Sequence, residues 1–143
     1  MNQPTPGHLV WRLSMKWRVA VDRALAPLGL THAQYVMLSS LYGMERSGQS
    51  PSQRELADHT GLEALYVSKL ARTLDADGLI ERTRDAVDTR TIRLRLTEEG
   101  RATVQPAIQE VAVLLDRLLK PLGRERKAAF VRDLTALLDN PLN

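Results

Sequence analysis

The sequence predicts a mainly helical fold with one small β-hairpin, of the α+β class. Apolar residues recur at helical spacing in several segments, a pattern typical of amphipathic helices. Two short runs, 79–84 and 92–96, flank a turn-rich segment and are predicted to be the strands of the hairpin. The 143 residues suit one domain, or a small module with oligomerising arms.

The N-terminal part of the chain is predicted to form two helices. Residues 1–7 contain two prolines and a glycine and are predicted to be a loose arm. A first helix is predicted over 8–26, since apolar residues recur there and a Pro-Leu-Gly stop follows. Thr31 and Gln34 have the spacing of a capping box, which begins a second helix ending near Gly43.

Two further short helices and a turn are predicted between residues 52 and 78. Ser52 and Glu55 form a second capping box, and Gly61 supplies the positive φ of the turn. The following helix covers about 63–77 and ends at Gly78.

The hairpin comes directly after these helices. In its second strand Ile92, Leu94 and Leu96 alternate with Arg93 and Arg95, so the arginines are expected on the solvent side. Helix, turn, helix and hairpin in this order form a winged helix-turn-helix, a module that reads double-stranded DNA.

A long helix and a shorter one are predicted after the hairpin. Thr97 caps the long helix, and the two glutamates that follow lie at the positive end of its dipole. Pro106 lies within its apolar pattern, where it would bend the helix. A second Pro-Leu-Gly stop at 121–123 precedes the last helix, 124–138.

The composition argues against several classes of protein. There is no cysteine, which excludes disulfides and thiolate chemistry, and the three histidines are far apart, so we predict no metal and no cofactor. Because GxSxG, HExxH and phosphate-binding glycine loops are absent, we do not expect an enzyme. The sequence shows no signal peptide or membrane span, so we expect a cytoplasmic protein with no membrane partner.

The charge is only weakly diagnostic. The net charge is +3, but residues 50–97 contain as many Asp and Glu residues as Lys and Arg residues. If this neutral module binds DNA, it must do so by placing its cations on one face.

Short motifs occur in a fixed order through most of the chain. They are LTHAQY (30–35), PSQRELA (51–57), TGL (60–62), VSKL (67–70), LD (74–75), GLIER (78–82), DTR (88–90) and LTEEG (96–100). At this spacing they resemble the MarR family of bacterial transcriptional regulators. One departure is Glu63, a poorer helix cap that places negative charge near DNA, and the next two residues are apolar where family members often carry polar side chains.

The resemblance implies a homodimer on a pseudo-palindromic operator, with repression as the usual output. It implies an N-terminal arm and dimerisation helix (1–30), the DNA-binding module (31–97) and C-terminal dimerisation helices (98–143). Many members release DNA when a small molecule, often phenolic or anionic, binds near the junction of these parts.

The candidate DNA contacts follow from this arrangement. Leu65, Ser68 and Lys69 are the candidates for base edges in the major groove. Asp88 and Arg90 lie at the tip of the hairpin, which is the wing of the module. Arg90 is the candidate for entering the minor groove, and Asp88 would orient its guanidinium by a bidentate pair. The candidates for phosphate contacts are polar or cationic side chains, namely Ser52, Gln53, Arg54, Tyr66, Arg72 and Arg84. For Arg54 and Arg72 a pair with a nearby acid, among Asp58, Asp75 and Asp77, is the alternative.

Two other assignments remain open at the level of sequence. Five residues of the first two helices could line an effector pocket, although core or dimer packing is the competing interpretation: Trp11, Met15, Arg18, Tyr35 and Met37. The near-neutral module also leaves open a winged helix that binds a protein partner without binding specific DNA.

Overall fold

The computed structural model describes residues 3–143 and confirms a mainly helical fold with one hairpin. Its elements in chain order are α1 (Pro6–Leu25), α2 (His32–Arg46), α3 (Gln53–Thr60), α4 (Ala64–Ala76), β1 (Ile80–Arg84), β2 (Ile92–Leu96), α5 (Glu98–Leu119) and α6 (Gly123–Asp139). Single 3₁₀ turns, Ala26–Leu28 and Lys120–Leu122, follow α1 and α5 at the two predicted Pro-Leu-Gly stops. By contact density the chain divides into Met1–Val111 and Ala112–Asn143.

The first helix begins earlier than predicted. The Thr5 hydroxyl accepts a hydrogen bond from the backbone N–H of His8 at 3.2 Å, and Pro6 occupies the first turn. Proline suits this position because its fixed φ is helical and its missing N–H would have no partner there. The predicted arm is therefore reduced to residues before Pro6, of which Met1 and Asn2 lie outside the described residues.

Both predicted capping boxes are present. In α2 the Thr31 hydroxyl accepts from Gln34 N–H at 3.2 Å, and Gln34 Oε1 accepts from Thr31 N–H at 3.0 Å. In α3 the Ser52 hydroxyl and the Glu55 carboxylate make the same reciprocal pair at 3.0 and 3.2 Å. These bonds satisfy N–H groups that the first turn of a helix leaves without partners.

The predicted end of α2 at Gly43 is wrong. The helix continues to Arg46, and the positive φ of 79° falls at Gly48 instead. Gly43 keeps helical dihedrals, which glycine tolerates at a modest cost in free energy.

Residues 52–97 fold in the predicted order of helix, turn, helix and hairpin. Gly61 adopts φ 76° between α3 and α4, and Gly78 adopts φ 78° after α4. The strands pair antiparallel from Ile80↔Leu96 to Arg84↔Ile92. Val67, Ala71 and Leu74 turn one face of α4 into the core, so the opposite face is presented outward.

The core of the first unit combines residues from α1 to α5. Its largest fully buried side chains include Leu25 of α1, Leu38 of α2, Leu56 of α3 and Val104 of α5. The first turn of α5 also contacts the base of the hairpin through backbone groups, since Thr97 N–H donates to the Leu79 carbonyl at 3.1 Å. Pro106 lies inside α5, and the helix continues past it to Leu119.

In the part of the chain that the structure describes, no helix is both long enough and apolar enough to cross a bilayer.

Candidate nucleic-acid interface

The outward face of α4 carries the three residues predicted to read bases. Leu65 is 73% exposed, Lys69 is exposed and Ser68 is half-buried beside it. Tyr66 is also exposed, and Arg72 Nη2 donates to Ser68 Oγ at 3.4 Å. A helix with such a face can enter a major groove with side chains directed at base edges.

The start of α3 and the tip of the hairpin face a common groove. Among its lining residues are Gln53, Arg54, Asp88 and Arg90, which the sequence assigned to phosphate and wing contacts. The start of α4 contributes Ala64 to the same groove. The fold therefore brings the predicted contacts of α3 and of the hairpin tip to one groove, with the first residue of α4 beside them.

Ser52 also lines this groove, but its side chain is largely buried. It is 6% exposed, and its oxygen accepts the capping hydrogen bond from Glu55 N–H. Its backbone also forms an isolated β-bridge with Arg93. The Ser52 oxygen therefore accepts the capping hydrogen bond of α3, and a phosphate contact through this side chain stays a prediction.

Arg54 of α3 and Arg72 of α4 do not form the ion pairs with nearby acids that are the alternative to phosphate contacts. Within residues 3–143 neither Arg54 nor Arg72 forms a salt bridge, while Asp75 pairs instead with Arg82 of β1 at 3.0 Å. Gln53 Oε1 is buried and accepts no hydrogen bond within the same residues. Both guanidinium groups are exposed, as a phosphate contact requires.

The hairpin tip is organised by two aspartates. Asp85 Oδ2 accepts from the N–H groups of Val87 and Asp88 at 3.1 and 2.9 Å. Asp88 Oδ1 accepts from both the N–H and the Nε of Arg90, at 3.1 and 3.3 Å. The predicted Asp88–Arg90 pair is thus present, but it is not bidentate, because a single carboxylate oxygen receives both bonds. The Arg90 side chain stays 92% exposed at the tip.

Arg84 supports the tip and does not point away from it. Its Nη1 donates to the Thr89 carbonyl at 2.8 Å, which braces one side of the turn. The sequence predicts a phosphate contact for Arg84, and the structure gives its guanidinium a partner inside the hairpin.

Arg93 lies on the outer face of β2, as the alternation predicts, but its guanidinium is not a free charge in solvent. Its guanidinium is bonded to Asp85, Glu55 and the Ser50 carbonyl. Pairing with Asp85 raises the pKa of Arg93, while N–H donors, chiefly that of Asp88, lower the pKa of Asp85. The pKa of Glu55 is lowered as well, first by the N–H of Ser52. No local motif signals this cluster, because its members meet only once the hairpin register and the α3 position are fixed.

The five residues assigned to an effector pocket do not form one site. Met37 lies on the inner face of α2 and is fully buried in the core, whereas Trp11 is 62% exposed on α1. Tyr35 is half-buried, and burial raises its pKa. Met15 lines an open groove along α1, where Leu9, Leu13 and Val19 lie beside Arg12, Lys16 and Arg23.

No group of three or more His, Asp or Glu side chains capable of holding a metal ion occurs in the described part of the chain.

Comparison with known proteins shows the family to which the chain belongs. The MarR family model matches residues 28–91. The HTH-type transcriptional repressor Rv2887 of Mycobacterium tuberculosis is 34% identical over 133 residues, which cover 92% of this chain and 91% of that protein.

Solved structures give the same assignment. The transcriptional repressor CouR, bound to a 23-mer DNA duplex, superposes with a TM-score of 0.83 at 30% identity, covering 94% of this chain and 92% of that one. The PcaV regulator of Streptomyces coelicolor, in complex with its natural ligand, gives a TM-score of 0.79 at 25% identity over 97% and 98% of the two chains. The chain therefore belongs to the MarR family, and it is a DNA-binding transcriptional regulator rather than an enzyme.

Proposed function

We propose that the protein is a repressor that binds, as a homodimer, a pseudo-palindromic operator in duplex DNA. The observation that carries the proposal is that α3, the hairpin tip and the first residue of α4 line one groove, while the outward face of α4 is exposed. CouR, the similar repressor, is bound to a DNA duplex in its structure. Because the proposed target is DNA, we also place the protein in the bacterial cytoplasm.

In this proposal α4 reads the major groove. Lys69 donates to guanine acceptors or to a phosphate, Ser68 donates or accepts at a base edge, and Leu65 packs on a thymine methyl group. Leu65 is exposed on the outward face of α4, and a thymine methyl group is the apolar partner that a major groove offers to such a side chain. Part of the sequence preference would then come from apolar contact.

The remaining contacts hold the module on the backbone. Gln53, Arg54, Tyr66 and Arg72 are proposed to contact phosphates, and Arg90 to enter an adjacent minor groove. Ser52 contributes by capping the helix whose first N–H groups face the groove.

The dimer would be built from the helices outside the module. On α1 Leu9, Leu13 and Val19 are exposed, and on α6 Val131 and Leu134 are exposed. Apolar surface of this extent along amphipathic helices favours burial against a second copy of the chain. We keep the division into dimerisation segments 1–30 and 98–143 around the module 31–97 as part of the proposal.

A small effector fits the same scheme. PcaV is crystallised with its natural ligand, and Arg12, Lys16 and Arg23 lie along α1 beside the apolar side chains that we assign to the dimer. Cations at the edge of an apolar surface suit a phenolic or anionic molecule. It would release DNA by binding more tightly to a dimer whose modules are wrongly spaced for two successive major grooves.

The decisive experiment selects bound sequences from a random duplex pool with the purified protein. We expect an inverted repeat whose half-sites lie about one helical turn apart, and an affinity that falls steeply with salt. Arg90→Ala should weaken binding about tenfold, whereas Leu65→Ala should change the selected bases. The matched control is Arg95→Ala, which removes an equal charge from the same hairpin, where Arg95 is paired with Glu81.

Absence of any salt-dependent duplex binding would contradict the proposal. It would favour the alternative of a module that binds a protein partner.

A further inference from the structure

We propose that Arg93 is a positioning residue that fixes the wing tip against the start of α3, so that Arg90 and α4 reach DNA together. This inference rests on the DNA interface proposed above. Arg93 is not among the residues we assign to DNA contacts, and its side chain is 36% exposed.

One guanidinium joins three parts of the chain. Arg93 Nε donates to Asp85 Oδ1 at 3.1 Å, and Nη1 donates to Glu55 Oε1 at 3.0 Å. Nη1 also donates to the Ser50 carbonyl at 2.9 Å. Charge-assisted bonds of this kind are stronger than neutral ones, and the planar fork sets their directions.

The two carboxylate partners of Arg93 each organise a segment that carries a proposed DNA contact, Asp85 the hairpin tip and Glu55 the start of α3. Asp85, with its other oxygen, holds the N–H groups of Val87 and Asp88, and Asp88 in turn holds Arg90. A continuous series of hydrogen bonds therefore connects Arg93 with the exposed Arg90. On the other side, the Glu55 oxygen that accepts from Arg93 also closes the cap of α3.

The backbone anchors the base of the hairpin but leaves the tip to side chains. Leu94 N–H donates to the Pro51 carbonyl at 3.0 Å, and Ser52 bridges to Arg93. Beyond these bonds the wing is a two-stranded ribbon, an arrangement that twists readily and is marginally stable alone. A tie between Asp85 and Glu55 is what would hold such a ribbon at one angle to α3.

The competing explanation is that Arg93 itself binds a phosphate. The two explanations differ in what a lysine would do, because its ammonium keeps the charge but cannot bond Asp85 and Glu55 with a planar fork. They also differ in whether the effect of Arg93 depends on Arg90.

The experiment measures duplex affinity and its salt dependence for R93Q, R93K, R90A and the double variant R90A/R93Q, using the selected operator. We expect R93Q to weaken binding about tenfold and R93K to fail to restore it. In the R90A background, R93Q should cause little further loss and leave the salt slope unchanged. The matched control is R95Q, on the same strand, which should change affinity by less than about twofold.

Amide hydrogen exchange provides a readout that does not need DNA. The N–H groups of Val87 and Asp88 should exchange faster in R93Q than in the wild type, with no such change in R95Q.

Two results would overturn the inference. One is restored affinity in R93K. The other is an equal loss on adding R93Q to the wild type and to R90A, with the salt slope lower by about one in both, as a direct phosphate contact requires. If the wild type binds no duplex, the proposed function fails, and unchanged exchange at the tip in R93Q would then refute the positioning role separately.

Discussion

Substitution of Gly100 by alanine is expected to destabilise the protein, although alanine is the better helix former. Gly100 lies in the first turn of α5 and is buried against the base of the hairpin. A Cβ built there would overlap the Leu79 carbonyl oxygen and lie 3.0 Å from the Leu79 carbonyl carbon and 3.3 Å from Leu96 Cδ2. The obstruction is backbone, so no side-chain rotation relieves it.

The magnitude follows from three contributions. Alanine in place of glycine gains about 1 kcal/mol of helix propensity. Overpacking costs about 1–3 kcal/mol, and moving α5 away strains the bonds from Thr97 to the Gly78 and Leu79 carbonyls, worth about 1 kcal/mol each. The net loss in the free energy of unfolding is therefore about 1–4 kcal/mol.

The assay is urea unfolding followed by circular dichroism at a fixed protomer concentration, because the proposed dimerisation would make the midpoint depend on concentration. Gly43→Ala is the control, since Gly43 is also helical but nothing lies within 4 Å of an added Cβ. We expect that variant to gain about 0.5–1 kcal/mol. The reasoning is refuted if Gly100→Ala unfolds at the wild-type urea concentration, or a higher one, with an unchanged m-value.

Three further outcomes are expected from unfolding measurements. Ser52→Ala should cost about 1 kcal/mol, because it removes the α3 cap; an unchanged midpoint would contradict this. Leu38→Ala, at a fully buried position of α2, should cost about 2–5 kcal/mol and leave a cavity; a loss within error would mean that the site collapses. The carboxyl pKa values of Glu55 and Asp85 are lowered in the folded state, so the stability they contribute is complete above their unfolded pKa values and is lost as pH falls through the folded ones. A pH series of urea midpoints should therefore decline in acid, and less so for Asp85→Asn than for the wild type.

Much of the module could be predicted because its signals are local. A capping box acts across three residues, so Ser52 with Glu55 and Thr31 with Gln34 identify two helix starts from the sequence. Gly61 and Gly78 have the positive φ that ends a helix at low cost. Alternation of Leu94 and Leu96 with arginines identifies the second strand and its buried face.

The predictions that failed concern contacts between distant parts of the chain. Helical periodicity in α1 and α2 identifies apolar residues but not the residues that cover them. It therefore does not separate Trp11, which is exposed, from Met37, which lies in the core, and both are predicted to line one effector pocket. The predicted end of α2 at Gly43 fails for a local reason, because glycine is tolerated inside a helix at a modest cost and does not require the helix to end.

The sequence by itself determined the order of the elements, the caps and turns that delimit them, and the identity of the outward α4 side chains, because each depends on residues within about one helical turn. Tertiary structure alone decided what Arg93 does. Its partner Glu55 lies 38 residues away in the chain, and the two meet only after the strands pair in one register and the α3 cap packs against them. An arginine on the outer face of a strand is a solvated charge until the fold brings carboxylates to it, and the fold brings two.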